Sequence, residues 1–98
     1  MKMQKIWIWL LLATSVAAMA GTITIRNPNP TIALVEFYWQ EGDYTYGPYA
    51  IPAFTTKSFE VEDGTYDIHV DNGNGDFYII DDVQVGDQDS GFYHEVRD

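Results

Sequence analysis

The stretch KSFEVEDGTYDIHVDNGNGD, from Lys57 to Asp76, decides the fold. Its first part alternates strictly from Lys57 to Glu62, with Phe59 and Val61 on one side and Glu60 and Glu62 on the other. That is the period of a strand with one packed face and one wet face. Asp63-Gly64 then reverses or offsets the chain. The alternation resumes from Thr65 to Asp71, placing Tyr66, Ile68 and Val70 inward and Asp67, His69 and Asp71 outward. Asn72 to Gly75 reads as a hairpin loop, because Asn and Gly tolerate the positive φ angles of tight reversals.

The same grammar extends in both directions. Upstream, Thr22 to Arg26 alternates with Ile23 and Ile25 on one face, and the Asn27-Pro28-Asn29-Pro30 run ends it, since proline donates nothing to a ladder. A longer strand from Ile32 to Gln40 sets Val35, Phe37 and Trp39 against the core and Glu36, Tyr38 and Gln40 opposite. Glu41 to Asp43 makes a turn, and a short strand from Tyr44 to Tyr49 is ended by Gly47-Pro48 or by Pro52. Downstream, a strand begins at Phe77 and runs toward Val85, with Asp81-Asp82 breaking its alternation as a bulge or a sheet edge. Gly86 to Gly91 is an acidic loop and Phe92 to Arg97 a last strand. Six or seven short strands at this spacing, with no sustained helical period, mean an all-β sandwich or small barrel. Phe37, Trp39, Phe59, Tyr66 and Phe77 are the aromatic residues expected to build its core.

The first twenty residues are of another kind. Lys2 and Lys5 precede an apolar run from Ile6 to Val16, and Ala18-Met19-Ala20 supplies small residues at a cleavage position. The pattern is that of a secretory signal peptide cut after Ala20, and it predicts a periplasmic or secreted protein with one domain over residues 21–98. The chain has no cysteine, so stability in that compartment comes from packing or bound ions rather than disulfides. All 15 acidic residues lie beyond residue 20, and loss of Lys2 and Lys5 takes the formal charge from −10 to −12. Such a surface repels nucleic acid and anionic lipid and suits a cationic partner, a divalent metal or simple solubility, the last being the commonest reason for it.

GTYDIHV, from Gly64 to Val70, resembles the start of the penultimate strand of immunoglobulin-like and fibronectin-type sandwiches, where a tyrosine shortly after a tight turn bonds back to upstream backbone. The resemblance implies a small antiparallel immunoglobulin-like β-sandwich with Tyr66 as that corner tyrosine and Gly64 in its turn; Trp39 is expected to be structural because it shares phase with Val35 and Phe37. The layout from residue 21 onward is also similar to small exported bacterial β-sandwich domains of unassigned function, which implies fold and compartment only.

Few residues can carry catalysis. His69 and His94 are the only histidines, Ser58 and Ser90 the only serines beyond residue 20, and neither serine sits in a nucleophile elbow. A non-enzymatic protein is expected. Asp67, His69 and Asp71 share a strand face at a spacing that permits, without specifying, an ion site. The better ion hypothesis is Ca²⁺ held by Asp71, Asp76, Asp81 and Asp82, with Asp87 and Asp89 close by in sequence. The order of residues departs from an EF-hand, because glycines fall at ligand positions. Tyr38, Tyr44, Tyr46 and Tyr49 are candidates for a stacking platform. The functional expectation is an exported acidic interaction or structural module for a basic protein or an envelope polysaccharide. The alternatives are an inhibitor or immunity protein of a cationic hydrolase, and a calcium-binding domain.

Overall fold

The computed structural model describes residues 21–86 and 91–98. The segment expected to be a signal peptide, with its expected cleavage after Ala20, and Asp87, Asp89 and Ser90 lie outside those residues. Seven strands form: β1 (Gly21–Asn27), β2 (Ala33–Trp39), β3 (Tyr44–Ile51), β4 (Thr55–Val61), β5 (Gly64–Asp71), β6 (Phe77–Val85) and β7 (Gly91–Glu95). They make a three-stranded sheet of order β4-β1-β7 and a four-stranded sheet of order β3-β2-β5-β6. All pairings are antiparallel except β1 with β7, which is parallel. The protein is an all-β sandwich.

Alternation along each strand explains why the layers meet. Ile23 and Ile25 of β1 are wholly buried, as are Phe37 of β2 and Tyr66, Ile68 and Val70 of β5. Each fully buried aliphatic or aromatic side chain of this size contributes roughly 1.5–3 kcal/mol relative to exposure. Phe59 closes one side of this core, its ring edge-on to Phe37 at 5.2 Å and stacked on Tyr49 at 4.5 Å. Asp63 and Gly64 carry the chain from β4 in one sheet to β5 in the other, so the turn offsets the path rather than closing a hairpin. Trp39 is only partly buried and caps the end of the core.

Two irregularities shape the four-stranded sheet. Val35 pairs with Tyr49 and Phe37 with Tyr46, so Gly47 and Pro48 together face the single residue Glu36. β3 thus runs through Gly47-Pro48 as a bulge, tolerable because it is an edge strand, and ends at Ile51 just before Pro52. On the far side, Tyr66 pairs with Val83 and Ile68 with Ile80, leaving Asp81 and Asp82 opposite Asp67 alone. That bulge, with Asp82 at φ 58°, is what interrupts the alternation of β6.

The bulge also fixes which way β6 faces, and here one sequence expectation is corrected. Phe77 is 61% exposed, not core, while Tyr78, Val83 and Val85 point inward. Phe77 pairs with Asp71, an outward residue of β5, and Tyr78 pairs with the buried Val70. Neighbours in register share a face, so Tyr78 takes the interior position.

Polar side chains bind the loops at one end of the sandwich. Asn27 Nδ2 donates to the carbonyls of Thr31 and Ile51 at 2.8 and 3.0 Å, and its Oδ1 accepts from the amide of Asn29. Asn29 and Asn72 both donate to the Arg97 carbonyl, tying the C-terminal segment to loops from both sheets. Arg97 in turn lies over the Tyr78 ring, its guanidinium carbon 3.9 Å from the centroid.

Candidate functional site

The outer face of the four-stranded sheet carries the side chains that alternate with the core. Three rows cross it. In the first, Ala50, Leu34, Asp71 and Phe77 stand side by side on β3, β2, β5 and β6. In the second, Glu36, His69 and Ile79 follow, with Pro48 beside them at the β3 bulge. In the third, Thr45, Tyr38 and Asp67 lead to the Asp81-Asp82 bulge. The first two rows hold large apolar groups in solvent, with Leu34 45%, Phe77 61% and Ile79 47% exposed. A solvent-facing sheet surface normally carries polar residues, so this patch is the candidate site.

Between the two rows lies a groove of about 260 Å³ lined by Leu34, Glu36, Pro48, His69, Asp71 and Phe77. That is below the size of pockets that enclose small-molecule ligands, and it suits a single inserted side chain. Its polar lining is acidic: Glu36 Oε1 is 4.0 Å from His69 Nδ1, and Asp71 sits directly between Leu34 and Phe77. The His69 ring is edge-on to Phe77, with centroids 6.2 Å apart.

The third row is a closed hydrogen-bond network. Gln40 Nε2 donates to Oδ1 of both Asp67 and Asp82 at 2.9 Å, and the Asp82 amide donates to Asp67 at 3.1 Å. Tyr38 donates its hydroxyl proton to Asp43 Oδ1 at 2.8 Å, and that hydrogen bond to the carboxylate raises the phenol pKa above its ordinary value.

The four tyrosines of the expected platform do not come together. Tyr38 stands on the outer face, in register with Asp67, whereas Tyr44, Tyr46 and Tyr49 are in register with the inward residues Trp39, Phe37 and Val35. The last three belong to two aromatic groups along the β3 edge of the core. Tyr44 meets Tyr46 at 5.0 Å, Tyr46 meets Tyr66 at 6.2 Å, and Tyr49 stacks on Phe59. Only Tyr44 of these three is well exposed.

The four aspartates of the calcium hypothesis also stay apart. Asp71 and Asp76 flank the loop between β5 and β6, where Asp71 Oδ1 already accepts from the Gly73 amide. Asp81 and Asp82 stand at the bulge opposite Asp67, four residues along β5 and so roughly 13 Å away. Among the described residues no three His, Asp or Glu side chains converge as metal ligands would. The few described side chains that nucleophilic chemistry would need are likewise dispersed. Ser58 pairs with Thr24 and shares a hydroxyl hydrogen bond with it at 2.9 Å, while His94 pairs with Ile25 on the opposite face of the same sheet. His94 Nε2 instead shares a 2.7 Å hydrogen bond with the Tyr78 hydroxyl. Burial, then the nearby Arg97 charge, holds the His94 pKa below its ordinary value.

Tyr66 donates its hydroxyl proton to the Glu62 carbonyl at 2.5 Å, four residues upstream. Burial holds this phenol pKa well above ordinary tyrosine. Gly64, between the two, has φ +152°, and a Cβ there would press on Trp39 Nε1 and Glu41 Oε1.

Compared with known protein families, curated proteins and solved structures, the chain matches none. The site therefore rests on its own geometry. Sequence reading overlooked Leu34, Pro48, Phe77 and Ile79. Leu34 could have been found, because it shares phase with Glu36 and Tyr38, which alternation already sets outside. Phe77 and Ile79 could not, since their phase depends on where the β6 bulge falls.

Proposed function

We propose that the chain is an exported, non-enzymatic interaction module that binds a basic protein through the outer face of its four-stranded sheet. The observation that carries this reading is the exposed apolar group Leu34, Phe77 and Ile79 interleaved with Glu36, Asp71 and Asp67. An aliphatic or aromatic side chain of the partner fills the groove, and lysines or arginines beside it meet the carboxylates. The formal charge of −12 beyond residue 20 steers such a partner and disfavours self-association through the same face. Distribution of the tyrosines over two faces favours a protein over a stacked polysaccharide. An inhibitor or immunity protein of a cationic cell-wall hydrolase is the particular form this partner chemistry suggests.

We read the sandwich as immunoglobulin-like. Support comes from the Tyr66 hydroxyl bond to Glu62 and from the split into β4-β1-β7 and β3-β2-β5-β6. Periplasmic or secreted placement rests on Lys2, Lys5, the apolar run Ile6–Val16 and the small residues at Ala18 and Ala20.

The test is capture of cationic proteins from an envelope extract by the immobilised protein at low and high salt, with a Leu34→Ser, Phe77→Ser, Ile79→Ser variant beside it. A basic protein held at low salt, released at high salt and not held by the variant is the expected result. Equal capture by the variant would remove the face from consideration, and capture of no basic protein would remove the partner chemistry.

A further inference from the structure

The loop between β5 and β6 contains two Asn-Gly pairs in four consecutive residues, Asn72-Gly73 and Asn74-Gly75. Asparagine followed by glycine is the pair most open to attack on the side chain by the next backbone nitrogen, because glycine has no Cβ to obstruct the approach. The fold treats the two pairs differently. Asn72 is 1% exposed; its Nδ2 donates to the Arg97 carbonyl at 3.1 Å, and its Oδ1 accepts from the amides of Asn74 and Asp76 at 2.8 and 3.1 Å. The neighbouring nitrogen is held as well, since the Gly73 amide donates to Asp71 Oδ1 at 2.9 Å and the Ile32 carbonyl occupies the space a Gly73 side chain would need. Asn74 is exposed. Among the described residues, neither its side-chain amide nor the Gly75 amide has a hydrogen-bond partner. Nothing lies within 4 Å of the position a Gly75 Cβ would take.

We propose that Asn74 is a site of spontaneous modification by succinimide formation, and that the fold protects Asn72 in the same loop. The Gly75 amide nitrogen, after giving its proton to a solvent base, attacks Asn74 Cγ. The N–Cγ bond forms, the Cγ–Nδ2 bond breaks, and Nδ2 takes a proton from water and leaves as ammonia. Water then adds to either carbonyl of the five-membered imide and opens it to aspartate or isoaspartate. No electrons are transferred, and water is the one co-reactant. The product adds a carboxylate to a loop that follows Asp71 at the end of β5, already holds Asp76 and leads directly into Phe77. Its effect on partner binding, unlike the reaction itself, rests on the interaction face described above.

The folded protein and the same protein unfolded in urea are incubated side by side in mildly alkaline buffer. Both are then digested and read by tandem mass spectrometry, with isoaspartate labelled by protein isoaspartyl methyltransferase. In the folded protein, conversion at Asn74 outpaces Asn72 by about tenfold or more, because Asn72 reacts only after its hydrogen bonds open. In urea the two Asn-Gly pairs convert at comparable rates. Equal conversion of Asn72 and Asn74 in the folded protein would overturn the proposal. So would an unchanged Asn74 in the folded sample once the urea sample has reacted.

Discussion

Asn27 shows how much of this fold depends on single polar groups. Its side chain is wholly buried, and it satisfies the carbonyls of Thr31 and Ile51 and the amide of Asn29, linking the end of β1 to two loops. Truncation to alanine strands those groups away from water, at roughly 1–3 kcal/mol for each that finds no substitute. Asn27→Ala is therefore expected to lose about 3 kcal/mol of unfolding free energy, read from the midpoint of urea denaturation at unchanged slope. A loss under about 1 kcal/mol would mean that water replaces the amide. Gly64 is a second such position. Its φ of +152° disfavours any side chain, and a Cβ there collides with Trp39 Nε1, a buried donor without a partner among the described residues. Gly64→Ala is expected to cost about 2 kcal/mol, and less in a Trp39→Phe background where the collision is relieved. Additive losses in that double-mutant cycle would place the cost in the backbone angle and the Glu41 contact rather than in Trp39 Nε1.

At the scale of strands, most of the architecture follows from period-2 patterns that the sequence displays openly. β1, β2, β4 and β5 keep unbroken alternation, and their buried residues are the ones alternation selects. β3 and β6 are less legible because a bulge changes phase part-way along. A Gly-Pro pair reads equally as a strand end, and Phe77-Tyr78-Ile79-Ile80 offers apolar residues to both faces. Part of the exposed patch, Phe77 and Ile79, hides in that ambiguity, which makes the proposed face less legible than the core. β7 is short, and it is tied to β6 where its His94 meets Tyr78 and Arg97, just beyond the strand, stacks on the same ring. Burial first, then the Arg97 charge, lowers the His94 pKa, with Glu95 opposing. The unfolded chain therefore binds more protons than the folded one between the depressed value and the ordinary value near about 6.5. Stability contributed by neutral His94 is fully present above that ordinary value, is lost as pH falls below it, and levels off below the folded value. The difference in melting temperature between the protein and a His94→Gln variant should shrink as pH is lowered from about 7.5 to about 5.5. A difference independent of pH would assign the contact to packing alone.

Over the whole molecule, charge sets two opposing responses to salt. With three basic residues against 15 acidic ones beyond residue 20, the folded domain repels itself, and little ion pairing offsets this. Among the described residues Arg26 pairs with Glu95 at 3.8 Å, and His69 Nδ1 lies 4.0 Å from Glu36, a contact that is an ion pair only when the imidazole is protonated; both are long and substantially exposed. Exposed pairs of this kind contribute about 0–1 kcal/mol, so screening them removes little. Screening the general repulsion relieves more, because the Debye length falls from about 30 Å at 0.01 M salt to about 8 Å at 0.15 M, well inside the span of the domain. The melting temperature is therefore expected to rise as sodium chloride increases over that range. Binding of a basic partner runs the other way, since the same screening removes steering and weakens the carboxylate contacts on the outer face. Thermal scans and binding measurements across one salt series separate the two effects. A melting temperature that falls with salt would show that ion pairs, not packed apolar layers, hold the sandwich together.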